Sequence, residues 1–274
     1  MIKLENVSYS YPDGSLALKN INLEIREGEF LGIIGRNGSG KSTLALHLNG
    51  LLKPEKGKVT VKGLDTKDPV KLPEIRKLVG IVFQNPETQF VGRTVEEDIA
   101  FGPENLCLPQ AEIRKRVDRN LEKTGLGKYR YHSPKTLSGG QAQCVALAGV
   151  LAMEPECLVF DEVSSSLDQS SCMSVLKSIE KLWKNGKTIV YVTHNLEELH
   201  AADRVIVMGR GKIVLEGRPE EIFSVESSES REIFPPSLVD LATRLRASGI
   251  NVPWEKVRYP ETFAEELCRL FLKT

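Results

Sequence analysis

The sequence predicts an α/β fold: one large domain of strands and helices, a helical insertion within it, and a small appendage at the C-terminal end. Three observations predict it. Short apolar runs at Glu29–Ile34, Val79–Phe83, Cys157–Asp161 and Lys187–Thr193 alternate with helix-patterned stretches, as in a sheet whose strands are joined by helices. Two alternating segments, Ile2–Tyr9 and Ala17–Ile25, flank Pro12-Asp13-Gly14 and read as an antiparallel hairpin. From residue 94 to about 132 the chain is charge-rich and helix-patterned, which suggests a helical subdomain inserted into the sheet domain.

The 274 residues suffice for such a domain plus an appendage. Hydrophobic content of 41% and charged content of 27% are ordinary for a soluble globular protein. Lys+Arg and Asp+Glu both number 37, so no overall basic field recruits nucleic acid or anionic lipid, and any polyanion must be bound locally. Met1-Ile-Lys-Leu-Glu5 enters a strand pattern without the regions of a signal peptide. The longest apolar run, Cys144–Met153, is ten residues, too short to span a bilayer, so action at a membrane is expected through a partner. Five cysteines, at 107, 144, 157, 172 and 268, show no C-x-x-C spacing and suit the reduced thiols of cytosol. No metal site made of protein ligands alone is expected.

Taken in order, Tyr11 lies just before the hairpin turn, where it can stack on a purine face or sit as a half-buried strand-end tyrosine. Gly35-Arg36-Asn37-Gly38-Ser39-Gly40-Lys41-Ser42 then fits G-x-x-x-x-G-K-[ST]. Such a loop wraps a run of phosphates with backbone N–H groups, which side-chain-poor glycines allow, and the helix that follows presents its N-terminus to the same anion. Lys41 would sit on the β/γ-phosphates and the Ser42 hydroxyl would hold Mg²⁺. Lys53-Pro-Glu-Lys-Gly57 breaks the chain, and Lys58–Lys62 returns as a strand.

Gln84 ends the strand Val79–Phe83 at the edge where α/β sheets bind ligands. It can offer its amide oxygen to Mg²⁺ or to an attacking water, or be a solvated loop residue. Asn85–Phe90 is polar and turn-rich, and Thr94/Glu97 form a capping box for the next helix. Leu137-Ser138-Gly139-Gly140-Gln141, ahead of the apolar helix at 142–152, makes a second anion cradle. One nucleotide cannot obviously use two cradles so far apart in sequence, and a dimer in which each cradle closes on the other subunit's phosphates is the economical solution.

Asp161 and Glu162 end an apolar strand. Adjacent strand side chains point to opposite faces, so the pair is expected to divide its work: Asp161 on Mg²⁺, Glu162 as general base toward water. Without the upstream loop, a solvent-facing acidic pair would be the reading. Ser165-Ser166-Leu167-Asp168 could line a dimer seam, and His194, at the end of the strand Lys187–Thr193, could hydrogen-bond a γ-phosphate or the water, although a lone histidine is usually structural.

Together these motifs resemble the ATP-binding-cassette (ABC) ATPase family over residues 1 to about 224. The family's Walker A loop falls on Gly35–Ser42, its Q-loop glutamine on Gln84, its signature motif on Leu137–Gln141, the Walker B end on Asp161 and Glu162, its D-loop on Ser166-Leu167-Asp168 and its switch histidine on His194. Tyr11 matches the aromatic that stacks on adenine. The resemblance implies an ABC-type P-loop NTPase with a mixed sheet core, an antiparallel N-terminal β subdomain and a helical subdomain at about 94–135. It implies ATP and Mg²⁺ as cofactors, with Tyr11, the Walker A residues through Thr43, Ser138–Gln141 and Asp168 as nucleotide contacts. Ser42, Gln84 and Asp161 are then the metal residues, and Glu162, His194 and Gln84 the catalytic ones.

A narrower likeness lies in Gln84–Phe90 and Val95–Glu104, which look like the ATPase subunits of energy-coupling-factor (ECF) transporters, importers of vitamins and transition-metal ions. Those subunits carry a C-terminal helical extension, and residues 225–274 look like one. Leu238, Leu241 and Leu245 share a helix face after Pro235-Pro236, and Phe263, Leu267, Leu270 and Phe271 share another behind a Thr262/Glu265 capping box. Such short helices must bury their apolar faces, and the family precedent is contact between the two ATPases. The implied partners are a second ATPase subunit, a paralogue favoured over an identical copy, a transmembrane coupling subunit and a small integral-membrane substrate-binding subunit, at the cytoplasmic face of the cell membrane, with no nucleic acid. The family usually has arginine at Cys144, proline at Val163 and threonine at Ser164, departures that hint at one member of an unequal pair. The rivals are the ATPase of a conventional ABC importer and a soluble ABC ATPase acting on DNA or ribosomes. The second lacks support, for the chain has no long coiled-coil insertion, second cassette or basic stripe.

Overall fold

The computed structural model describes residues 1–165, 167–224, 237–257 and 260–271. The chain runs β1 (Ile2–Ser10), β2 (Leu16–Ile25), β3 (Phe30–Gly35), α1 (Lys41–Leu48), β4 (Lys56–Val61), β5 (Leu64–Asp65), α2 (Leu72–Leu78), β6 (Val79–Val82), α3 (Val95–Asn105), α4 (Gln110–Lys123) and α5 (Gly139–Ala152). It continues with β7 (Cys157–Asp161), α6 (Gln169–Lys184), β8 (Thr188–Val192), β9 (Arg204–Gly209), β10 (Lys212–Gly217), α7 (Pro219–Ser224), α8 (Ser237–Ala247), α9 (Trp254–Val257) and α10 (Pro260–Phe271).

Among the described residues two sheets form, a four-stranded one ordered β2-β1-β4-β5 and a six-stranded one ordered β10-β9-β3-β8-β7-β6. The first is antiparallel throughout. In the second, β9, β3, β8, β7 and β6 are parallel and only β10 runs against its neighbour, so the sheet is mixed. Strands β7 and β8 are buried at every position, which is why they read as continuous apolar runs rather than as alternating ones. One face of the mixed sheet, with Leu31, Ile33, Val159, Val190 and Val192, packs on Ile2, Leu4, Val7 and Ile25 of the antiparallel sheet. On the other face Phe30, Ile34, Phe160 and Tyr191 share a core with Leu147 of α5 and Ile179 of α6. Each such aliphatic side chain taken fully from water contributes about 1.5–3 kcal/mol.

Register places the site. Ile33 of β3 pairs with Val192 of β8, and Val192 pairs with Asp161 of β7. The carboxyl ends of three neighbouring strands therefore reach one edge together, and the loops leaving them carry Gly35–Ser42, Glu162 and His194.

The helical cluster extends beyond the stretch expected for the insertion, to α5. Thr94 and Glu97 make the capping box of α3, and Val95, Ile99, Val117, Leu121, Val145 and Ala148 join α3, α4 and α5 in a core of their own. The tail departs from expectation in two ways. Leu238, Val239, Ala242 and Leu245 face the chain's own body, whereas Leu241 is 43% and Phe271 55% exposed. The buried stripe of α8 is thus turned by one position from the Leu238/Leu241/Leu245 face. The Thr262/Glu265 box does not start α10, which is already helical at Pro260, a residue suited to a first helical position; the Thr262 hydroxyl instead donates to the Lys256 carbonyl at 3.0 Å. Pro235-Pro236 lie outside the described residues. Val239, Val257 and Phe263 join Val175, Ile179 and Leu196 in the main core, and Ser237 Oγ donates to Glu197 at 2.7 Å.

Candidate active site at the edge of the mixed sheet

The loop from Gly35 to Gly40 holds a shape that side chains would spoil. Gly35, Gly38 and Gly40 have φ of 153°, 77° and 102°. A Cβ on Gly35 would lie 2.3 Å from the Met208 carbonyl oxygen, and one on Gly40 would lie 2.5 Å from that of Ala17. The exposed tip is Arg36-Asn37-Gly38, while Ser39 and Lys41 are 5% and 4% exposed. The Lys41 Nζ donates to the carbonyls of Gly35 at 2.8 Å and Arg36 at 3.2 Å, and lies 3.4 Å from Glu162 Oε1. Ser39 Oγ is buried with no partner among the described residues, an orphan donor inside the cradle. A glycine-rich loop with an exposed tip, a buried ammonium and a hydroxyl without a partner among the described residues fits a nucleotide's phosphates.

Ser42 Oγ donates to Asp161 Oδ1 at 3.0 Å. Two adjacent oxygen donors, one a carboxylate, suit a hard cation such as Mg²⁺. Burial pushes the Asp161 carboxyl above the usual carboxylate range; the Ser42 hydrogen bond and Lys41 oppose this, and the neighbouring Glu162 adds to it.

The structure corrects the opposite-face expectation for Asp161 and Glu162. Strand β7 ends at Asp161, and Glu162 takes a left-handed backbone with φ 51°. That turn swings its carboxylate back to the same loop, toward Lys41 and within 3.7 Å of His194 Nδ1. The conformation is held by the Glu162 amide on the Val192 carbonyl at 2.9 Å and by the Ser165 amide and hydroxyl on the Glu162 carbonyl at 3.1 and 2.9 Å. His194 is 57% exposed. Gln84 is exposed and donates through Nε2 to Ser165 Oγ at 3.1 Å, one link from Glu162. Tyr11, 36% exposed, shares a hydrogen bond of 3.0 Å between its hydroxyl and Thr43 Oγ1 and packs edge-on against Tyr9. Lys41, Ser42, Asp161, Glu162 and His194 thus converge, with Tyr11, Thr43 and Gln84 beside them.

Ser138–Gln141 stand in another neighbourhood. Ser138 is the exposed N-cap of α5, boxed with Gln141; Gln141 Nε2 reaches the Tyr129 hydroxyl at 2.8 Å, and a Cβ on Gly140 would lie 2.7 Å from Ser171 Oγ. Asp168 caps the start of α6, accepting from the Ser171 amide at 3.0 Å and hydroxyl at 2.7 Å. Ser166 lies outside the described residues. Of the departures, Val163 is a core residue, Cys144 packs in the helical subdomain, and Ser164 Oγ donates to Glu198 at 2.7 Å.

Sequence reasoning missed two residues here. Gln89 Oε1 accepts from the Phe83 amide at 3.0 Å and ties the loop after Gln84 back to its strand. Glu198 is a buried carboxyl that accepts from Ser164, in the turn after Glu162, and from Thr193 and Asn195, on either side of His194; nothing in Glu197-Glu198 marks one as buried and the other as exposed.

Residues 18–165 match the family model described as ABC transporter. The chain belongs to that family, and it is an ATP-binding, ATP-hydrolysing enzyme. Within the family it stands with the energy-coupling-factor transporter ATP-binding proteins. It is 70% identical, over all 274 residues of both chains, to the energy-coupling factor transporter ATP-binding protein EcfA of Methanosarcina acetivorans. It is 48% identical, over 98% of this chain and 99% of the relative, to EcfA1 of Caldanaerobacter subterraneus subsp. tengcongensis. Among solved structures it is similar to cbiO1 of Clostridium perfringens, part of the ABC transporter complex cbiONQ, with a TM-score of 0.75 and 37% identity over 90% of this chain and 96% of that one. A dimeric ATP-binding cassette in a post-hydrolysis state bound to ADP and Pi has a TM-score of 0.73 and 34% identity over 80% of this chain and 99% of that one.

Proposed function

We propose that this chain energises an ECF-type importer of a vitamin or a transition-metal ion, using ATP-dependent closure of an ATPase dimer coupled to a transmembrane subunit. The observation that carries the reading is the convergence of Lys41, Ser42, Asp161, Glu162 and His194 at one sheet edge while the second cradle, Ser138–Gln141, faces different partners. A site so divided is completed by a second subunit. Tyr11 stacks on the adenine; the amides of Gly35–Ser42 and the side chains of Lys41 and Thr43 hold the phosphates. Ser138, Gly139, Gly140 and Gln141 of one subunit close on the nucleotide of the other, and Asp168 lies at the seam. Glu162 takes the proton of the attacking water, His194 positions that water against the γ-phosphate, and Gln84 passes the change to the transmembrane subunit. Ser42, Asp161 and Gln84 would hold Mg²⁺, which when bound neutralises charge on the transferred phosphoryl.

Residues 1–224 form the nucleotide-binding domain in this reading, with the helical subdomain at about 94–135, and residues 225–274 contact the other ATPase, for which the exposed Leu241 and Phe271 are suited. A paralogous partner is favoured by the departures at Cys144, Val163 and Ser164. No helix among the described residues is long and apolar enough to cross a membrane, which accords with a peripheral subunit held at the cytoplasmic face by a transmembrane subunit and a small membrane-embedded substrate binder. Mass spectrometry of what co-purifies with the chain in mild detergent tests this. A second ATPase, a membrane scaffold and a small membrane protein are expected; recovery of the chain alone, or of ribosomes or DNA factors, removes the transport reading.

A further inference from the structure

Glu198 is a carboxyl that the roles above do not use. It is 6% exposed, in the turn Leu196–Leu199, and the contacts at both its oxygens come from donors. Oε1 accepts from Ser164 Oγ at 2.7 Å and Asn195 Nδ2 at 3.4 Å, with Cys172 Sγ at 3.9 Å. Oε2 accepts from Thr193 Oγ1 at 2.7 Å and the Tyr191 hydroxyl at 3.1 Å. The donors come from three pieces of chain: the turn just after Glu162, the end of β8 on both sides of His194, and the first turn of α6. An acceptor-only group fully supplied with donors locks the segments that supply them.

The lock matters because Glu162 is strained. A glutamate at φ 51° persists only where its surroundings over-determine it. Its own tethers reach Val192 and Ser165; Ser164, between Glu162 and Ser165, is pinned by Glu198, as is Thr193, directly after Val192. We infer that Glu198 is a positioning residue for ATP hydrolysis, which through Ser164, Thr193 and Asn195 sets where the Glu162 carboxylate and the His194 ring stand relative to each other. It acts through those two residues and touches no reacting atom.

The inference rests on Glu162 being the general base, so E162Q is measured beside it. Steady-state hydrolysis and ATP affinity are measured on the complex that co-purifies with full-length E198Q, E162Q, the double variant and S164A. E198Q puts an amide donor among donors: it should bind ATP within about twofold of wild type while kcat falls about tenfold or more. Because Glu198 works through Glu162 and His194, the loss in the double variant should be clearly smaller than the product of the two single losses, whereas an independent, merely stabilising role multiplies them. S164A removes one donor at small structural cost and should lower kcat about threefold at unchanged ATP affinity. A folded E198Q with kcat within twofold of wild type, or multiplied losses in the double variant, overturns the inference. Should E198Q fail to fold, unchanged kcat in S164A overturns it instead. Full activity in E162Q overturns the general-base reading and this inference with it, while inactive E162Q beside active E198Q overturns this inference alone.

Discussion

Gly40→Ala is the most searching perturbation of the phosphate loop. Gly40 sits at φ 102°, a left-handed backbone that costs an L-residue about 1–2 kcal/mol. Its new Cβ would lie 2.5 Å from the Ala17 carbonyl oxygen. That oxygen belongs to strand β2, tied to the loop region by the Lys19 amide on the Gly211 carbonyl at 2.7 Å and the Gly211 amide on the Ser39 carbonyl at 3.0 Å, so it cannot yield without disturbing both sheets. The clash adds strain of the size of an overpacked core, about 1–3 kcal/mol. Together these give about 2–5 kcal/mol, shared between lost stability and a displaced loop. Gly38→Ala is the internal control, because its φ of 77° is also left-handed but its Cβ would meet nothing within 4 Å; it should cost only the backbone share. Thermal unfolding and equilibrium binding of a non-hydrolysable ATP analogue measure the two parts. We expect the melting temperature of Gly40→Ala to fall by about 4–15 °C, its ATP affinity to fall at least about tenfold, and Gly38→Ala to do visibly better on both. Equal behaviour of the two, or wild-type binding by Gly40→Ala, would refute the argument that close approach to Ala17 shapes the loop.

Replacing Glu162 by Gln should cut turnover by roughly 10²–10⁴ with ATP binding retained; unchanged turnover removes it from the role of base. Asp161→Asn should abolish Mg²⁺-dependent hydrolysis yet melt at or above the wild-type temperature at neutral pH without ligand. Burial raises the folded-state pKa of Asp161, so the native state binds more protons than the unfolded state between the two pKa values; stability falls as pH rises through that window, and the neutral amide escapes the loss. A lower melting temperature contradicts that sign. Tyr11→Ala should weaken ATP affinity by roughly two- to tenfold, the worth of one aromatic stack, and an unchanged affinity in titration calorimetry would leave Tyr11 as a strand-end residue. In the isolated chain at pH 8, Cys107 and Cys268, both exposed, should alkylate first, whereas Cys157, buried and pushed up to about 12 by desolvation, should resist until unfolding, as read by mass spectrometry.

What the sequence determined by itself is whatever is local. The phosphate loop is contiguous, and its glycines are required by backbone shape, so Gly35–Ser42 is legible in the sequence. Strands β3, β7 and β8 announced themselves because burial on both faces makes them near-continuous apolar runs, and the box Thr94/Glu97 because capping spans a single turn. The tertiary structure alone decided what depends on contacts distant in sequence. Asp161 and Glu162 face the same loop because the chain leaves β7 through a left-handed residue, a turn that strand alternation cannot foresee. Glu198 is buried and Glu197 is not because Ser164, Tyr191, Thr193 and Asn195 converge on one carboxyl, which no local pattern encodes. The buried stripe of α8 differs from the sequence expectation for the same reason: the body against which the helix packs decides which of its apolar residues are covered.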